Sequence, residues 1–344
     1  MCFPLIVLLA GAQLPANLLS AADAALVDSS WTISAEDMAF VQDVRARYRA
    51  MIPTAGEPDP VSEVRNLSIP ATKPERAIAA RLYIPKDHQP GEALPLILFF
   101  HGGGYVSGDF DTHDVIVRAL ANRTSSLVLS IDWRLAPEHP FPAGVEDAYA
   151  SLAWAAAHSA ELGADANRIV AAGDSAGGNL AAALALATRD RKSPRMAALV
   201  LFYPHTGGPL NSPSWTQYGT SRFPNVEYSK RLFAFYSPQD GGRMLNPLAS
   251  PFLADLHGLP PTLVITAEFD PLKDDGRAFA EKLRAAGGIA QHTEYPGATH
   301  GFVQFFKDKS HQPQGEQALG ETSTFLRRAL RSTDNYIVPP TLDH

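Results

Sequence analysis

The chain has 344 residues, 45% of them hydrophobic and 19% charged, the composition of an ordinary globular protein long enough to bury a large core. Its formal net charge of −7, from 29 basic and 36 acidic residues, argues against general affinity for nucleic-acid phosphates or anionic membranes. Cys2 is the sole cysteine, so an intramolecular disulfide and any cysteine-based metal site are excluded.

Residues 1–24 carry two readings. The apolar run 3–12 and the small residues Ser20-Ala21-Ala22 suit a signal peptide, which would make the protein secreted or periplasmic. The lack of any Lys or Arg before Arg45 suits an apolar N-terminal segment packed on the body of a cytoplasmic protein. Either way the run is too short to span a bilayer.

Within residues 25–60, Ser34 ahead of Glu36-Asp37 reads as a helix N-cap. Ile33 and Met38 are spaced as a hydrophobic staple, and Val41, Val44 and Tyr48 continue an apolar face, so a helix is predicted over 34–49. Pro53, Pro58 and Pro60 then punctuate the chain. Residues 61–69 and 78–84, with a turn at Lys73-Pro74, read as an antiparallel pair at a sheet edge.

From Leu96 the pattern changes to short apolar strands alternating with helices. Strands are predicted at 96–100, 127–132, 168–173, 198–203, 263–267 and 291–295, with helices at 114–122, 144–162, 178–190, 273–286 and 315–330. Such alternation predicts an α/β fold, a mostly parallel sheet flanked by helices on both faces. The interval between Tyr203 and Leu263 is longer than a crossover needs and is rich in aromatics such as Trp215, Phe223 and Phe233. Residues 205–253 are therefore expected to form a cap insertion, joined by the helix of 25–60, over a catalytic domain made of 61–204 and 254–331. The tail 332–344 reads as either disordered or packed at a subunit contact, which leaves a homo-oligomer open.

Chemistry concentrates at the ends of these strands. Gly173-Asp174-Ser175-Ala176-Gly177 lies between a strand-like and a helix-like run, the arrangement of a nucleophile elbow that projects Ser175 beyond the sheet. After the 96–100 strand comes His101-Gly102-Gly103-Gly104-Tyr105. Its glycines let backbone N–H groups approach a substrate oxygen, so Gly103, Gly104 and Ala176 are the candidate oxyanion donors and His101 a brace for the loop. A dinucleotide fingerprint would need glycine where Ser107 stands, and no Walker lysine follows.

Asp270 and His300 each follow a predicted strand downstream. Singly, an Asp before Pro is more often a turn or cap and a His before Gly a loop residue. Together the order Ser175, Asp270, His300 points to a triad in which His300 is the base and Asp270 orients it. Asp174 is expected mainly to bond neighbouring backbone at its turn, and Arg134 and Glu138 to form a structural ion pair with each other. His113 and His139 have no assigned role.

The His101-Gly102-Gly103-Gly104 loop, the run Asp132 through Ala143, the Gly-Asp-Ser-Ala-Gly elbow, Asp270-Pro271-Leu272 and His300-Gly301-Phe302 together resemble the hormone-sensitive lipase-like carboxylesterases (bacterial family IV), over about residues 61–330. The resemblance implies an α/β-hydrolase fold with a helical cap and hydrolysis of short to medium acyl esters through Ser175, Asp270 and His300. It implies no cofactor or metal, a small-molecule ester as the partner, and neither nucleic-acid binding nor stable membrane insertion. Trp133 departs from the family's usual Tyr, and residues before about 27 have no counterpart. A lactonase, amidase, carbamate hydrolase or deacetylase would use the same groups, as would an interfacial lipase. A hormone-receptor relative of the family would keep the pocket but typically lose the histidine.

Overall fold

The computed structural model describes residues 32–72, 75–89, 91–308 and 314–331. The N-terminal segment 1–24, the Lys73-Pro74 turn and the tail 332–344 lie outside the described residues.

Among the described residues, eight strands form one sheet: β1 (Glu63–Thr72), β2 (Glu75–Ile84), β3 (Leu94–Phe100), β4 (Leu127–Ile131), β5 (Ala164–Asp174), β6 (Ala198–Phe202), β7 (Thr262–Phe269) and β8 (Ala290–Thr299). Their order across the sheet is β1-β2-β4-β3-β5-β6-β7-β8. β1 pairs antiparallel with β2, and β2 with β4; every later pairing is parallel. The helices are α1 (Ala35–Ala50), α2 (Phe110–Thr124), α3 (Ala143–Ala157), α4 (Ser159–Leu162), α5 (Ala176–Arg191), α6 (Pro213–Tyr218), α7 (Val226–Tyr236), α8 (Lys273–Ala285) and α9 (Gln314–Ala329).

The all-apolar strands are explained by burial on both faces. Along β3, Leu96, Leu98 and Phe100 join a core with Leu152 of α3, Leu180 of α5 and Phe279 of α8. The intervening Ile97 and Phe99 join a second core with Ile116 of α2 and Phe325 of α9. A period of two delivers alternate residues to opposite layers, and both layers are helical.

Strand order reverses at β3, which has β4 on one side and β5 on the other. Loops leaving the carboxyl ends of β3 and β5 therefore diverge and open a crevice, the usual place for a ligand in a parallel sheet. The glycine loop leaves β3 and the serine turn leaves β5. Above this crevice, Val41 and Val44 of α1 pack with Val106 of the glycine loop and with Leu232 and Phe235 of α7. Ser34 caps α1, its side chain accepting the Asp37 N–H at 3.0 Å.

Candidate active site

Ser175 follows β5 without an intervening residue and starts α5, at φ 54° and ψ −117°. A non-glycine residue in that region is strained, and the strain persists because the flanking strand and helix are both buried. Asp270 directly follows β7 and His300 directly follows β8. Three strand ends thus bring the three side chains together. Ser175 Oγ lies 3.0 Å from His300 Nε2, and His300 Nδ1 lies 2.7 Å from Asp270 Oδ2. The other carboxylate oxygen of Asp270 accepts the Leu272 N–H at 2.8 Å, which fixes the acid's orientation. With Asp270 wholly buried and His300 7% exposed, Nδ1–H is held to the carboxylate and the Nε2 lone pair faces the serine hydroxyl.

The glycine loop is oriented by its carbonyls. His101 Nδ1 donates to the Gly102 carbonyl at 2.8 Å. Because a trans peptide sets N–H opposite C=O, that bond also directs the following Gly103 N–H. The Gly103 carbonyl accepts from the Ser107 N–H at 3.0 Å and the Ser107 hydroxyl at 2.8 Å, which directs the Gly104 N–H in the same way. Gly103 and Gly104 have φ of 124° and 63°, and both line one cavity with Ser175 and Ala176. The Ala176 N–H belongs to the first turn of α5, where backbone donors are unpaired by helix geometry. His101 is fully buried and stacks on Trp133 at 5.3 Å between ring centroids; burial pushes its pKa down to about 4.

Two sequence expectations are corrected. Asp174 does not bond its own turn: Oδ1 accepts the Gly102 N–H at 2.8 Å and lies 3.2 Å from His113 Nε2, both groups in the buried interior. Burial raises this carboxyl while His113 and the Gly102 N–H lower it, and the net shift is downward. Asp174 therefore ties the serine turn to the glycine loop. Arg134 and Glu138 do not pair either. Arg134 binds Asp147 and Glu146, each at 3.0 Å, because the buried Asp147 carboxylate requires donors. Glu138 takes both ends of the Arg45 guanidinium, at 2.7 Å each, and Arg45 Nε also donates to the Val106 carbonyl at 2.7 Å. This clamp holds α1 on the glycine loop.

The cavity measures about 430 Å³. Phe40 and Val44 of α1, Leu232 and Phe233 of α7, and Phe223 and Phe305 give it a largely apolar wall. Among the described residues no group of three His, Cys, Asp or Glu side chains is arranged to hold a metal ion, and no helix is long and apolar enough to cross a membrane.

Sequence reasoning missed several site-building groups. Tyr203 and Gln304 line the cavity, the Gln304 N–H donating to the Tyr203 hydroxyl at 3.1 Å. Asp275 holds the chain leaving β6: its carboxylate accepts the N–H groups of Thr206 and Gly208, at 2.8 and 3.1 Å, and the Thr206 hydroxyl. Burial pushes this carboxyl up from 3.8 to about 6 even with those donors. The folded chain therefore holds the proton more tightly than the unfolded chain. The stability contributed by this group is greatest below about pH 4 and is lost as pH rises through about 6. An Asp275→Asn variant lacks that titration. Its melting temperature is expected to gain on the parent's between about pH 4 and pH 6.5 and to track it above. Parallel melting curves across that window would refute the assignment.

A parallel sheet with a strained serine after a central strand, a histidine and a buried aspartate in hydrogen-bonded sequence, and a glycine loop facing the serine define a serine hydrolase of the α/β-hydrolase class. The α/β hydrolase fold family model matches residues 97–304. Carboxylesterase NlhH of Mycobacterium tuberculosis is 40% identical over 258 residues, covering 74% of this chain and 79% of the relative. An arylesterase of Saccharolobus solfataricus is 36% identical over 76% of this chain and 84% of its own. Among solved structures, the thermophilic carboxylesterase EstE1 from a metagenomic library superimposes with a TM-score of 0.78 at 37% identity, covering 87% of this chain and 99% of that one. The chain belongs to the α/β-hydrolase fold family, in its hormone-sensitive lipase-like branch.

Proposed function

We propose that the protein is a carboxylic ester hydrolase that cleaves short to medium acyl esters with Ser175 as nucleophile, His300 as general base and acid, and Asp270 as the group that orients His300. The observation that carries this reading is the hydrogen-bonded line from Ser175 through His300 to Asp270 beside Gly103 and Gly104. The names of the relatives, carboxylesterase and arylesterase, support it.

In the first half-reaction Ser175 Oγ attacks the ester carbonyl carbon while its proton passes to His300 Nε2. The carbonyl oxygen becomes an oxyanion, received by the N–H groups of Gly103, Gly104 and Ala176. The C–O bond to the alcohol breaks, and the leaving oxygen takes the proton from Nε2. Water then repeats the sequence on the acyl-enzyme, giving the acid and restoring Ser175. Asp270 stays ionised throughout and stabilises the imidazolium of each step. Residues 205–253, together with α1, serve as the cap that walls the cavity and keeps bulk water from the acyl-enzyme.

A confined apolar cavity of about 430 Å³ favours dissolved monomeric substrate over an oil surface. Turnover of soluble butyrate esters is expected to exceed that of long-chain triglyceride emulsions by at least about tenfold in a pH-stat assay, since the emulsion offers no monomer to fill the cavity. Faster hydrolysis of the emulsion would overturn the substrate class. No hydrolysis of either, with no fluorophosphonate labelling of Ser175, would overturn the enzyme reading itself.

A further inference from the structure

A second histidine lines the cavity and has no part in the mechanism above. His205 follows β6, is 4% exposed, and donates its backbone N–H to the Ser175 carbonyl at 3.2 Å. Its ring stacks on Phe233 with centroids 4.3 Å apart, and Nδ1 lies 2.7 Å from the Tyr105 hydroxyl. Tyr105 is held at φ 69° and stacks on Tyr236 at 3.9 Å. A left-handed backbone at a tyrosine persists only where its surroundings hold it. Here the effect of that geometry is to deliver a phenol to the imidazole.

Proton accounting settles the tautomer. Tyr105 is 1% exposed, and burial keeps its hydroxyl protonated by pushing its pKa well above the ordinary value. That proton needs an acceptor, and His205 Nδ1 is the one in reach. The ring proton therefore sits on Nε2. Burial also pushes the imidazole pKa down to about 3, so the ring stays neutral and cannot act as a cation. With Nδ1 turned to Tyr105 and one face covered by Phe233, Nε2–H is the remaining polar group of a ring that lines the cavity.

We propose that His205 is a specificity residue whose Nε2–H reads an acceptor oxygen carried by the ester within a few atoms of its carbonyl, such as an alkoxy, keto or second ester oxygen. The proposal rests on the esterase reading above. A plain alkyl ester would fill the same volume but displace water from this donor without replacing its hydrogen bond, whereas an oxygenated isostere restores the bond. In a largely apolar cavity, one such donor is enough to rank substrates of equal shape.

The test uses two isosteric pairs, one for each half of the ester: ethyl methoxyacetate against ethyl butanoate, and 2-methoxyethyl acetate against butyl acetate. The ratio of kcat/KM within each pair is compared between the parent and His205→Phe, so that intrinsic ester reactivity cancels. The oxygenated-to-plain ratio is expected to fall about tenfold in the variant for the pair whose oxygen meets His205, the size of one neutral hydrogen bond in an apolar site. His205→Leu, smaller than phenylalanine and close to histidine in volume, is expected to give the same fall and serves if the phenyl ring does not fit. A fall in the first pair places the acceptor on the acyl half, and a fall in the second places it on the alcohol half. Ratios unchanged in both pairs, with the parent active, overturn the role of His205 alone. A parent inactive on all four esters overturns the esterase reading and this proposal with it.

Discussion

Ser175→Ala is expected to lower kcat on a short-chain ester by about a millionfold while leaving the folded protein intact, since units of this kind lose nearly everything when the nucleophile goes. The side chain being removed reaches one hydrogen-bond partner, His300 Nε2 at 3.0 Å, so little packing is lost with it. His300→Ala is expected to be about as severe, and the double variant no worse than either single one, because in the proposed mechanism the two groups act in one proton transfer. Asp270→Asn should cost about 10⁴ in kcat. Asn fills the same volume, yet it can present an N–H to His300 Nδ1 and turn the imidazole to the wrong tautomer. Melting temperature, steady-state rates and fluorophosphonate labelling of the four proteins check this set. Ser175→Ala retaining more than a tenth of parental turnover would remove Ser175 from the mechanism.

These three residues were legible because each requirement leaves a local mark. A nucleophile elbow needs small neighbours, and Gly173 and Gly177 flank Ser175. A base and an acid at strand ends need strands before them; β7 is apolar enough to read directly, whereas β8 is polar at most positions and reads as a strand only over 291–295 of its length. The helix α1 was legible for a similar reason, since Ser34 and its acidic first turn are a local capping signal. The interval after β6 resisted because its aromatics mask the caps. Asn225 accepts the Tyr228 N–H at 2.8 Å to start α7, and Ser229, Leu232, Phe233 and Tyr236 then face the interior at i, i+3, i+4 and i+7, a helical period that the surrounding aromatics obscure.

What no local pattern supplies is which loop lies beside which. The bond from Gly102 to Asp174 spans 72 residues and exists because β5 is the neighbour of β3. Arg45 finds Glu138 across 93 residues for the same kind of reason. His205 carried a usable signal, a titratable side chain at the carboxyl end of a parallel strand. Its partner Tyr105 stands 100 residues away and gave none.

Adjacency of β3 and β5 also makes Gly177→Ala a strongly damaging single-methyl change. Gly177 lies in the first turn of α5, against the end of β3. A Cβ there would stand 2.6 Å from the Phe100 carbonyl carbon and 2.7 Å from the His101 carbonyl oxygen, and closer still to the Phe100 oxygen. All three are backbone atoms at the carboxyl end of a central strand, where no rotamer change gives relief. The helix has to withdraw from the sheet, at about 3 kcal/mol or more, which corresponds to a fall of roughly 5–10 °C in melting temperature. Withdrawal also carries Ser175 and the Ala176 N–H away from Gly103 and Gly104, and a displacement of about 1 Å costs about 100-fold in rate. Gly320→Ala is the matched control: a Cβ at that position in α9 meets nothing within 4 Å, so the variant should gain a few tenths of a kcal/mol to about 1 kcal/mol from reduced unfolded-state freedom and keep full activity. Thermal melts and kcat/KM on one soluble ester compare the pair. A Gly177→Ala protein as stable and active as Gly320→Ala would mean that close approach of α5 to β3 is not what positions the nucleophile.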